Sequence, residues 1–113
     1  MNIRSLLQGL SFLGRAQGSK RTYYVFQGTR DYLVASANGR TGLNITVVDR
    51  KVPQLLSGRF HGREVTTSLL KRKGGRLFGE PFAPLNALYV MVALGRARKL
   101  KKREGRAMVF KIR

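Results

Sequence analysis

Between Pro84 and Gly95 the chain reads LNALYVMVAL, with eight consecutive apolar residues from Ala87 to Leu94. A segment without a polar face has to be enclosed, so this run constrains what the rest of the chain can fold into. It is read as a helix: Pro84 suits a first helical turn and Gly95 a C-terminal stop, whereas a buried strand would need neither. At 113 residues the chain has room for one modest core. With 42% hydrophobic residues its composition is globular apart from the sign of its charge.

Ahead of that run, three segments carry strand character: TYYVFQ (22–27), YLVASA (32–37) and LNITVVD (43–49). The third alternates, placing Leu43, Ile45 and Val47 on one face and Asn44 and Thr46 on the other, which predicts a sheet with one wet side. Asn38-Gly39 is a hairpin signal, because both residue types tolerate positive φ, and it puts Arg40 at the tip of an antiparallel meander over 22–49. Residues 1–16 space Ile3, Leu6, Leu7, Leu10 and Leu13 as a helix does. That predicts an amphipathic helix packed on the core, with an organelle-targeting peptide or a membrane-surface helix as alternatives. VPQLLSG and GREVTTSLLKRKGG read as two further helices, the second carrying Val65, Leu69 and Leu70 inward and stopping at Gly74-Gly75. The expected fold is therefore a single α+β domain with three or four helices: the N-terminal helix over 1–16, a small antiparallel sheet of a three-stranded meander plus a C-terminal strand, helices over 52–95, and a basic hairpin over 96–113.

The charge narrows the partner. Twenty-three Lys and Arg against five acids give +18, and a compact domain at that charge repels itself unless an anionic partner neutralises it; nucleic acid is the commonest. The last eighteen residues, RARKLKKREGRAMVFKIR, hold nine of these cations but end in Met108, Val109, Phe110 and Ile112, which predicts a folded hairpin turning at Glu104-Gly105. There is no cysteine, hence no disulfide and no thiolate metal site, and no apolar run approaches the roughly 18 to 20 residues that span a bilayer. A membrane partner is not expected, and neither is a cofactor. A cytoplasmic place beside nucleoid or ribonucleoprotein is.

From residue 62 to 112 the order helix, turn, helix, basic hairpin, with ALGRARKLKKREGRAMVFKI running from second helix into hairpin, resembles the C-terminal half of a winged helix-turn-helix domain. The resemblance implies a second helix in the DNA major groove and a wing on the backbone or minor groove. It implies wing contacts from Arg96, Arg98, Lys99, Lys101, Lys102, Arg103 and Arg106. The chain departs from that pattern because Asn86 to Leu94 offers only Asn86 and Tyr89 to address base edges, so the helix reads as buried. Phosphate contacts are accordingly assigned to the wing, to Lys71, Arg72, Lys73 and Arg76 at the end of the preceding helix, and to Arg40, with little base-specific readout. The expectation is a nucleic-acid-binding protein without catalytic activity, DNA slightly preferred. The alternative is a ribosomal or other ribonucleoprotein component that binds RNA.

Three further constellations bear on function. Tyr23, Tyr24, Phe26 and Tyr32 are suited either to stacking single-stranded bases on an open sheet or to a core covered by the N-terminal helix. Asp31, Asp49 and Lys51 are similar to the Asp…Asp/Glu-x-Lys core of restriction-type nucleases, in which carboxylates hold Mg²⁺ and the lysine steadies the phosphate; Arg50 at the middle position departs from it. A small metal-dependent nuclease is thus the second alternative, against a simpler reading in which Arg30 and Arg50 ion-pair with both acids. His61 and Glu64 have the helical spacing of a metal pair but lack a third ligand of comparable quality.

Overall fold

The computed structural model describes residues 9–78 and 83–113. Seven strands and three helices follow in the order β1 (Ser11–Gln17), β2 (Thr22–Gln27), β3 (Asp31–Asn38), β4 (Gly42–Asp49), α1 (Val52–Phe60), β5 (Glu64–Val65), α2 (Thr67–Phe78), α3 (Pro84–Ala93), β6 (Ala97–Glu104) and β7 (Ala107–Ile112). The class is α+β. The strands form an antiparallel four-stranded sheet in the order β1-β2-β3-β4 and a three-stranded sheet in the order β5-β7-β6. Among the described residues no helix is long and apolar enough to cross a membrane.

The apolar run forms α3, and the molecule is built around it. It packs against β1, β6, α1 and α2 and touches β2, β3 and β4 as well, so both sheets meet on it. Leu88, Val90 and Met91 are fully enclosed, and Tyr89 is 1% exposed. The four-stranded sheet contributes Ala16, Val25, Val34 and Val48 to the same core; the second sheet and its helices contribute Leu56, Phe60, Val65, Leu70, Phe110 and Ile112.

Several expectations are corrected. Ser11–Gln17 is a strand paired with β2, where a helix over 1–16 was expected. Gly14, at about 1 kcal/mol against a helix interior, and the open edge of β2 both favour the strand, and the pairing outweighs the helical spacing of the leucines. The rest of that expected helix, residues 1–8, lies outside the described residues. Glu64–Val65 pairs with β7, so the second helix begins only at Thr67, where the Thr66 Oγ1 accepts the Leu69 N–H at 3.2 Å and caps the first turn. It then continues through Gly74-Gly75 to Phe78. The turn after β3 takes three residues, 39–41, closed by the Asn38↔Gly42 pair.

The alternation of β4 is as expected but its orientation is not. Asn44 and Thr46 share the inner side with Val48, while Leu43, Ile45 and Val47 point away from the core and are exposed. The row Tyr32↔Val48 is inner and the row Leu33↔Val47 outer, so the register with β3 fixes this choice.

Candidate nucleic-acid interface

The basic hairpin is a folded element. Its two-residue turn, Gly105-Arg106, is closed by the Glu104↔Ala107 pair, and Gly105 has φ +62°, the left-handed value that the first position of such a turn requires and that glycine adopts without strain. β7 anchors it: Phe110 is 1% and Ile112 0% exposed, whereas Lys111 between them faces solvent. β6 carries the charge. Between the pairs Lys99↔Phe110 and Arg103↔Met108, three residues of β6 lie opposite the single Val109, so the strand bulges. The bulge breaks the in-and-out alternation and lets Lys101, Lys102 and Arg103 be exposed in succession.

These cations are not equally available. Lys102 pairs with Glu64 across the sheet, at the surface, where such a bridge competes weakly with a phosphate. Arg103 donates from Nη1 to the Arg106 carbonyl at 3.1 Å, which steadies the guanidinium over the turn. Lys99 is half-buried, and its ammonium donates to the Gln17 carbonyl at 3.0 Å, tying the hairpin to β1. It therefore serves as a strut between the sheets. Arg96 and Arg98 are exposed at the base of β6. On α2, Lys71, Arg72 and Lys73 are exposed in succession; Arg76 lies in the same helix, but its side chain is outside the described part.

The structure adds Lys20 and Arg21, to which the sequence assigns no role. They sit in the turn between β1 and β2, in a cleft shared with Leu85 and Met108, so the turn lies beside the hairpin. Ser19 in the same turn shares a second cleft with Arg106 and Thr67, which brings the start of α2 to the same place. Gly18 is what lets the turn approach: a Cβ there would sit 2.7 Å from both the Tyr23 ring and the Tyr89 hydroxyl. Because strands alternate in direction, the 39–41 turn with exposed Arg40 lies at this same end of the four-stranded sheet. Between them a cleft of about 540 Å³ is lined by Arg21, Ser36, Asn44, Thr46 and Asn86.

The four aromatics divide. Tyr23 stacks on Tyr89 with ring centroids 4.3 Å apart and Tyr32 is buried, so both are core; Tyr24 and Phe26 occupy the outer face. Burial, and secondarily Tyr23, pushes the Tyr89 hydroxyl up to about 12. Asp31 and Asp49 are direct cross-strand partners, as the hairpin predicts. Their expected ion pairs do not form: Asp49 Oδ1 instead accepts the Lys51 N–H at 2.8 Å, and Arg50 donates to the Thr29 carbonyl at 3.4 Å. Among the described residues no three His, Asp or Glu gather as a metal group. His61 ends α1 and Glu64 lies in β5, so the helical spacing of that pair is lost.

The chain matches no known protein family, no curated protein and no solved structure.

Proposed function

We propose that this protein binds nucleic acid through its phosphates, without catalysis, using the β6–β7 hairpin as the principal grip. The observation that carries the reading is the bulged strand that exposes Lys101, Lys102 and Arg103 together on an element anchored by Phe110 and Ile112. A fixed row of cations loses less conformational freedom on meeting a phosphate backbone than a disordered basic tail does. Arg106, Lys20 and Arg21 extend the grip beside it, and Arg96, Arg98, Lys71, Arg72, Lys73 and Arg40 surround it with positive potential.

Duplex DNA is the preferred ligand because residues 52–112 run helix, short strand, helix, helix, basic hairpin, an order that supports the winged-helix resemblance. One departure shapes the mechanism. In that resemblance α3 would enter the major groove, yet here the four-stranded sheet covers it and its central residues are enclosed. Base edges are therefore left to Asn86 and to the turns, and binding is expected to vary little with sequence. The same burial favours a second reading, a ribonucleoprotein component, since an RNA helix is recognised mostly by shape and backbone.

The test is the salt dependence of affinity for a short labelled duplex. If about five to eight phosphates are neutralised, log K falls against log salt with a slope of roughly −4.5 to −7. A flat dependence between low and physiological salt contradicts the proposal, and tighter binding to an RNA duplex at equal salt moves the assignment to the second reading.

A further inference from the structure

The outer face of the four-stranded sheet has no cover among the described residues. Phe12 is 55% and Val47 58% exposed, and Tyr24, Leu43 and Ile45 are exposed beside them. The pairings place them together: Phe12↔Phe26↔Leu33↔Val47 forms one row, Tyr24↔Ala35↔Ile45 the next, and the Phe12 and Phe26 rings lie 5.5 Å apart. With strands about 4.8 Å apart and about 3.3 Å per residue, four strands of seven residues outline on the order of 450 Å². That outline is the whole face, Arg15, Asp31 and Asp49 included; its apolar part is of the size of the largest patch a typical monomer exposes, and such patches are often functional.

Charge indicates what covers it. In a chain of net +18, the strand positions of this face carry one cation, Arg15, and two acids, Asp31 and Asp49; Arg30, Arg40 and Arg50 lie only in turns at its ends. A polyanion finds few partners here, whereas two copies of the chain meet with the least like-charge repulsion anywhere on the strands. We infer that this face is a self-association surface, on which two copies pack sheet against sheet and leave both basic hairpins outside. Two such outlines make about 900 Å², below the usual range of stable interfaces, so the dimer is weak and transient.

The inference is independent of nucleic-acid binding and carries the opposite salt dependence. Raising salt screens the repulsion between two +18 chains and leaves apolar burial intact, so it strengthens the dimer while it weakens a phosphate grip. Sedimentation equilibrium on nucleic-acid-free protein, over roughly 5 to 200 µM and at about 0.1 and 0.5 M NaCl, is the experiment. The expected result is a monomer–dimer equilibrium whose Kd falls several-fold at the higher salt. Val47→Lys and Phe12→Lys, both at exposed positions and checked by thermal melting, each shift the protein to monomer. A wild-type protein that stays monomeric at every concentration and salt overturns the inference. So does self-association that both lysine variants leave unchanged, or that occurs only when nucleic acid is present to bridge two copies.

Discussion

Tyr89 shows how tightly the two halves of the molecule are joined. Its ring stacks on Tyr23 from β2 and meets Phe110 from β7 edge-on at 6.3 Å, so one side chain of α3 touches both sheets. Burial holds its hydroxyl protonated up to about 12 rather than 10. The neutral form is then favoured in the folded state: above pH 10 the unfolded chain loses this proton and the folded one keeps it, so stability falls as pH rises from 10 towards 12. Denaturation curves at pH 8, 10 and about 11 should show that decline in the wild type and a shallower one in Tyr89→Phe. The sequence places Tyr89 in a run that has to be enclosed, but it does not separate Tyr23 and Tyr32 from Tyr24 and Phe26. Which rings lie inside was decided by strand register, and register is set by pairing partners far along the chain.

Among the elements, those bounded by local chemistry were legible. β2, β3 and β4 follow from their β-branched and aromatic residues, and α3 from Pro84, Gly95 and the run between them. The elements that were misread owe their state to tertiary partners. β1 is a strand because β2 offers it an edge, and β5 exists only because β7 passes Glu64 and Val65. The cations of the hairpin and of α2 were readable from composition, but Lys20 and Arg21 became part of the candidate interface only when folding brought their turn beside Met108. The apolar face of β4 pointed outward because the register with β3 gives the inner positions to Asn44 and Thr46, which a two-residue period alone does not determine. β7 can be tested as an element: Phe110→Ala should cost on the order of 3 to 5 kcal/mol in chemical denaturation, by lost burial and the cavity left under Tyr89. A cost near zero would mean that the hairpin is not packed as described.

For the whole molecule, the central consequence is a separation of surfaces. Cations occupy the hairpin, α2 and the turns at both ends of the four-stranded sheet, apolar residues gather on that sheet's outer face, and α3 between the sheets couples the two. A domain of this size has about 5 to 15 kcal/mol of stability, so self-repulsion at +18 is a substantial burden that an anionic partner relieves. Nucleic acid should therefore raise the melting temperature, by an amount that shrinks with added salt. The decisive measurement compares wild type with a Lys101→Ala, Lys102→Ala, Arg103→Ala variant in titrations of a labelled duplex at several salt concentrations. All three side chains are exposed, so the unliganded variant should melt close to the wild type. Its log K against log salt should be shallower by about 0.9 per lost phosphate contact, on duplexes of unrelated sequence alike. A variant that binds with the wild-type affinity and slope would contradict the account, because the hairpin would then not be what holds the phosphates.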